Sequence, residues 1–153
     1  MHFSGFFQSE LGDAPYVMAH LRVGTTYREN IPFMIDTGHS HTSLSLKDLH
    51  EAGLDMKNLR KEDGDAYTAT DAVDLYSLKD AELVFVSTKG DQIEVNFDKI
   101  FVTKSKNPKS EHVSYNAPSL LGRNAIYKFS LLVDKKKQKI NLDLDEKSVA
   151  DAS

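Results

Sequence analysis

The sequence contains no cysteine. That excludes disulfides, thiolate catalysis and zinc sites built on cysteine. It also has no apolar run near the ~20 residues that a membrane-spanning helix requires. The opening residues, Met1-His2-Phe3-Ser4-Gly5-Phe6-Phe7, lack the basic start and unbroken apolar stretch of a secretory signal. A cytoplasmic chain without a membrane partner is therefore the expectation. Basic residues are not in excess, since 19 Lys and Arg stand against 23 Asp and Glu, a net charge of −4. A nucleic-acid partner, which would call for a basic stripe, is not expected. Repeats, low-complexity stretches and flexible linkers are missing as well.

What is present is the composition of one globular domain. Apolar residues make up 40% and charged residues 27% of 153, enough to bury a core. Most of the chain reads as short strands. Tyr16–Val23 alternates with period 2 and ends at the turn signal Gly24-Thr25. Ile31–Ile35 is apolar throughout, suited to burial on both faces. Further strands are expected at Ala66–Leu78, Ala81–Ser87, Gln92–Val102, Leu131–Val133 and Ile140–Leu144. Thr88–Asp91 reads as a turn, Lys104–Pro108 as a solvated loop, and the charged run Asp134–Lys139 as a hairpin. One helix is well marked: Ser45 as cap, Asp48 three places on, Leu46, Leu49 and Ala52 on one face, Gly53 at the end. After Leu120-Leu121-Gly122-Arg123-Asn124 a second short helix is expected, running through Phe129. The domain is expected to span 16–144, between an N-terminal segment, 1–15, and a polar tail, 145–153.

The chemistry concentrates in "FMIDTGHSHTSLS", residues 33–45. Three apolar residues lead straight into Asp36, which places a carboxylate at the end of a buried strand. Gly38 permits close approach of backbone or substrate, and the Thr37 hydroxyl can brace a loop. A turn explains Asp-Thr-Gly by itself. The surrounding order is harder to explain that way.

Apolar strand, Asp36-Thr37-Gly38, then Thr42, then a helix ending in Gly-Leu, a hairpin, and Leu120-Leu121-Gly122-Arg123-Asn124 opening a short helix: this order resembles the retropepsin-like aspartic proteases over Val17 to Leu144. The resemblance implies a mainly β, single-domain fold, closed like an orthogonal β-barrel, with one or two short helices. It implies Asp36 as the catalytic residue, Thr37 and Gly38 as its support, and Gly122 and Arg123 as structural residues beside the site. It also implies a covering hairpin within Ala66–Leu78, with its tip at Thr70-Asp71-Ala72 and Tyr67 at its base. His39, Tyr67, Thr70, Asp71 and Ala72 are then the substrate-cleft candidates. No metal or organic cofactor is implied.

Aspartic proteolysis needs two carboxylates sharing a proton, one acting as base on water and one as acid towards the carbonyl. The chain has one Asp-Thr-Gly and no Asp-Ser-Gly. A homodimer, with Asp36 from each subunit on a two-fold axis, supplies the pair. The expected substrate is an extended peptide or unfolded protein, paired along its backbone by the hairpin.

Three positions depart from the family pattern. His39 stands where Ala or Ser is usual, and a protonated imidazole near the dyad would favour its charged form. Ser40 stands where viral members carry an Asp paired with the Arg matching Arg123, so Arg123 needs another partner. The expected hairpin tip has no Gly. Two other functions fit parts of the sequence: a non-catalytic dimer that binds extended peptides, and a metal site on His39 and His41 with Asp36 as third ligand.

Overall fold

Short alternating segments separated by turn residues give a chain built mostly of strands. A computed structural model describes residues 1–63, 66–67 and 72–145. In chain order these form β1 (His2–Ser4), β2 (Phe6–Gln8), β3 (Ala14–Val23), β4 (Thr26–Ile35), α1 (Leu46–Glu51), β5 (Arg60–Lys61), β6 (Ala66–Tyr67), β7 (Ala72–Val86), β8 (Gln92–Ser105), α2 (Glu111–Tyr115), β9 (Ser119–Leu121), α3 (Arg123–Ile126), β10 (Ser130–Asp134) and β11 (Lys139–Asp143). The larger sheet runs β5-β7-β3-β4-β9, with β2 also on β3, and β6 and β8 also on β7. A second sheet of three strands runs β1-β11-β10. Among the described residues no helix is long and apolar enough to cross a membrane.

The expected closed barrel is not formed. Among the described residues no continuous ladder joins β8 to β9 and closes the larger sheet. Ser43 alone spans that gap, with one bridge to Phe101 of β8 and one to Leu120 of β9. Residues 36–42 carry no strand, so the chain between β8 and β9 pairs with both only through Ser43.

The period-2 pattern of β3 buries Val17, Ala19 and Leu21 and leaves Met18 exposed. β4 begins five residues earlier than Ile31, and its apolar end is not buried on both faces as expected. Ile31, Phe33 and Ile35 are buried, whereas Pro32 and Met34 are half-buried on the other face. The register of β3 on β4 shifts between Ala19 and Leu21. Asn30 takes up the extra residue in a left-handed conformation, φ 57°, and its N–H donates to Nδ1 of His20 at 2.9 Å.

The strands expected at Ala66–Leu78 and Ala81–Ser87 are instead the short β6 and one long strand, β7. Lys79 and Asp80 look like a break in the sequence, but both are exposed positions within the strand. Asp80 adopts φ 53°, and the pairing with β8 keeps one register on both sides of it. β8 runs on to Ser105, so the solvated loop begins later than Lys104, and α2 was not expected. α3 stops at Ile126, three residues short of the expected Phe129. α1 is as expected: Ser45 caps it by accepting from the Asp48 N–H at 3.1 Å, and Gly53 follows in the left-handed region, φ 81°. Ser87 and Asp91 close the turn between β7 and β8, Ser87 N–H to Asp91 carbonyl at 2.7 Å.

The two sheets share one core. Phe3 of β1 meets Phe85 of β7 and Phe129 edge-on, with ring centroids 6.1 and 5.6 Å away, and Phe85 and Phe129 meet at 5.4 Å. Residues 1–15 thus contribute β1 and β2 to both sheets, β2 lying along β3 from Phe6 to Gln8. Residues 146–153 of the expected polar tail lie outside the described residues.

Candidate active site

Asp36 follows the last residue of β4, where the buried Ile35 pairs in parallel with Leu121 of β9. Its N–H donates to the Leu121 carbonyl at 3.0 Å, so the backbone is still held to β9 at the point where the side chain turns outward. Asp36 is half-buried and Thr37 to His41 are exposed. The Gly38 N–H donates to Asp36 Oδ1 at 3.0 Å. A Cβ on Gly38 would stand 3.2 Å from that oxygen, a tight contact that would press on the carboxylate. The His39 N–H donates to the Asp36 carbonyl at 3.2 Å and closes the turn.

The rest of the loop is laced to the β9–α3 corner. The Arg123 N–H donates to the His39 carbonyl at 2.8 Å and the Asn124 N–H to the Ser40 carbonyl at 3.2 Å. Thr42 is fully buried; its hydroxyl donates to Asn124 Oδ1 at 2.8 Å and accepts from the Gly122 N–H at 3.2 Å. Gly122 is required for space rather than for backbone freedom, since its φ of −89° is ordinary. A Cβ there would lie 2.3 Å from the His41 carbonyl oxygen. Beyond the loop, Ser43 and Leu120 exchange both backbone hydrogen bonds at 2.9 Å, and the Leu44 N–H donates to the Phe101 carbonyl at 2.8 Å.

Arg123 finds the other partner that Ser40 makes necessary. Its Nη1 donates to the Thr37 carbonyl at 2.9 Å, tying α3 to the residue beside the carboxylate. The Thr37 side chain itself is exposed. His39 is turned towards its own loop: Nδ1 lies 3.0 Å from the His41 carbonyl. Among the described residues no ion pair joins His39 to Asp36. The His41 ring sits edge-on to Phe101, centroids 5.0 Å apart. The two imidazoles therefore have different neighbours, and among the described residues no group of three or more His, Asp or Glu is placed to hold a metal ion.

The expected hairpin is present in its base. Tyr67 pairs with Ala72 and Ala66 with Val73, so β6 and β7 run antiparallel. The tip residues Thr70 and Asp71 lie outside the described residues, as does the Tyr67 side chain; Ala72 opens β7. Asn124 and Leu121 were not singled out from the sequence as site residues. Both stand in the Leu-Leu-Gly-Arg-Asn motif, yet Asn124 reaches Thr42 across a separation of 82 residues, and nothing local signals that pairing.

Arranged in this way, one carboxylate stands at the surface end of a buried strand, on a loop fixed from both sides by backbone hydrogen bonds. Such a group can accept a proton or hold water, but alone it cannot act as base and acid in one step. The sequence matches no protein-family model and no curated protein. Among solved structures the chain is similar to a retropepsin-like aspartic protease from Rickettsia conorii, with a TM-score of 0.58 and 20% identity over 94% of this chain and 91% of that one. The likeness shows a retropepsin-like fold.

Proposed function

We propose that the chain is an aspartic endopeptidase that works as a homodimer, with Asp36 of each subunit forming the catalytic pair. The observation that carries this reading is the placement of Asp36 in a clamped, exposed loop at the end of β4, within a fold shared with a retropepsin-like aspartic protease. The dimer is supported by exposure. Thr37 to Ser40 face solvent in the single chain, and Tyr127, Leu132 and Val133, just after α3 and in β10, are 75%, 46% and 45% exposed.

In the pair, two carboxyl groups about 3 Å apart hold one proton between them, because both cannot ionise together. The ionised Asp36 takes a proton from water as the water oxygen bonds to the scissile carbonyl carbon. The protonated Asp36 gives its proton to the carbonyl oxygen. In the second step the now-ionised Asp36 takes a proton from a hydroxyl of the tetrahedral carbon as it collapses, the C–N bond breaks, and the leaving nitrogen receives the proton held by the other Asp36. Thr37 would brace the pair across the two-fold axis. The β6–β7 hairpin would add backbone hydrogen bonds to an extended peptide or unfolded protein.

The test is cleavage of an unfolded protein from pH 3 to 7 over a series of enzyme concentrations, with Asp36→Asn alongside. The expected result is a loss of at least about a thousandfold in the variant, and a rate in the wild type that rises more steeply than linearly on concentrating dilute samples. A folded dimer that binds peptide and cleaves nothing at any pH would replace this reading with a peptide-binding one. Cleavage unaffected by Asp36→Asn would end both.

A further inference from the structure

The Tyr16 hydroxyl and the Arg123 guanidinium both lack the partner their chemistry calls for, and they differ in access. Tyr16 lines a cavity of about 360 Å³ on the face of β3 and β4 that includes Met18 and Pro32. Its hydroxyl, without a hydrogen-bond partner, is closed off from solvent, so no ligand reaches it. Arg123 stands half-buried at the site itself. Its Nη1 donates to the Thr37 carbonyl at 2.9 Å, and among the described residues no carboxylate pairs with it. Arg22, by contrast, meets Glu82 and Glu94 at 3.1 and 2.7 Å. A guanidinium has five N–H donors, and one neutral carbonyl leaves most of that capacity unused.

His39 belongs to the same corner. Its carbonyl accepts from the Arg123 N–H at 2.8 Å, which fixes the backbone, and its ring Nδ1 lies 3.0 Å from the His41 carbonyl. A carbonyl only accepts, so Nδ1 carries the proton of the neutral ring, and protonation places the added N–H at Nε2. Among the described residues Nε2 has no partner, and His39 is exposed. The Asp36 carboxylate is held by the Gly38 N–H and not by this ring. Charge here runs against that of the whole chain, which is −4. Asp36 is the single acid in residues 33–45 and 117–129, beside His39, His41, Arg123 and Lys128. Ser40, exposed between the two imidazoles, adds no charge.

We propose that Arg123 and His39 select an acidic side chain close to the scissile bond, its carboxylate accepting hydrogen bonds from the guanidinium and from Nε2 of the imidazolium. This selectivity rests on the proposed peptidase activity and names its substrate class: unfolded segments that carry Asp or Glu beside the cleaved bond. A carboxylate accepts on two oxygens, and charged donors suit it better than they suit a neutral amide. In the dimer the catalytic pair shares one proton and so holds one negative charge, while the two-fold axis supplies a second Arg123 and a second His39. An acid is therefore favoured on either side of the bond, and Lys is disfavoured by like charge.

The experiment is digestion of a synthetic library of random peptides by the full chain at about pH 5.5, with the cut positions read by mass spectrometry. At that pH free Glu side chains are ionised and free imidazoles are mostly charged. Asp and Glu are expected to be enriched about tenfold over Asn and Gln in the residues flanking the cut, and Lys to be depleted. In His39→Gln, which removes one of the two cations, the enrichment is expected to fall to about threefold. Salt at about 0.5 M is expected to narrow the wild-type enrichment in the same way, a measurement that holds even if the variant does not fold. Cuts without acid enrichment, or an enrichment that both His39→Gln and salt leave untouched, overturn the proposal and leave the peptidase activity standing. A library in which nothing is cut overturns both.

Discussion

The Asp36 loop and the Tyr16 cavity are built on the same pair of strands, and they treat polar groups in opposite ways. In the loop, backbone N–H groups of Asp36, His39, Ser43 and Leu44 all find carbonyls, and Thr42, Gly122, Arg123 and Asn124 close the corner. In the cavity, a hydroxyl with little solvent exposure has nothing to bond. The loop lies at the exposed end of β4, where unpaired groups could have relied on water, yet several of its backbone groups are paired within the protein. The cavity lies where pairing matters most, and it is incomplete. Hydrogen bonds in the loop serve position: each contributes about 0.5–1.5 kcal/mol net, and together they hold a carboxylate whose chemistry depends on placement.

This contrast is broken most sharply by Gly122→Ala. The added methyl would stand 2.3 Å from the His41 carbonyl oxygen and 3.0 Å from that of His39, with backbone rather than a flexible side chain in the way. A loss of about 3 kcal/mol or more is expected, measured by urea unfolding, together with loss of peptide cleavage. Retained stability would mean that the corner can open without cost, and the clamp would not be the feature that positions Asp36. Thr42→Val keeps the shape and removes both hydroxyl bonds, leaving the Gly122 N–H and the Asn124 amide oxygen unpaired. The expected cost is about 1–3 kcal/mol, with cleavage reduced beyond the fraction unfolded. The smallest effect has the opposite sign. Tyr16→Phe is expected to gain about 1 kcal/mol in the same unfolding assay, because at this site removal of a polar atom removes a penalty. If Thr42→Val and Tyr16→Phe both destabilised, the distinction between a matched loop and an unmatched cavity would fail.

Legibility in the sequence differs between these regions for a physical reason. The loop could be read because a buried strand, a carboxylate and the smallest residue stand consecutively in Phe33–Gly38, and because Gly122-Arg123-Asn124 opens a helix. Its clamp could not be read in the same way: Thr42 meets Asn124 and Thr37 meets Arg123 only after the intervening chain has folded β7 and β8 between them. Met34 and Pro32 looked like residues buried on both sides because hydropathy does not reveal that one face of β4 is only partly covered, Pro32 lining a cavity there. Lys79-Asp80 looked like a strand end because charge marks exposure, and exposure is equally compatible with the middle of a long two-stranded ribbon. The register of Tyr67 on Ala72 agrees with the hairpin that the motif order suggested, while Thr70 and Asp71 of the expected tip lie outside the described residues.

Residues a few places apart determined much of this protein by themselves. They set the alternation of β3, the Ser45 cap and Gly53 end of α1, the turn between Ser87 and Asp91, and the delivery of Asp36 by an apolar strand. Those features follow from backbone propensity and side-chain period, which act within one turn or one strand. Only the tertiary structure decided that Gly122 would have no room for a methyl, that Arg123 would take the Thr37 carbonyl, and that Tyr16 would be buried without a partner. Each of these depends on which distant segment arrives beside the residue, and that is settled by the packing of the whole chain.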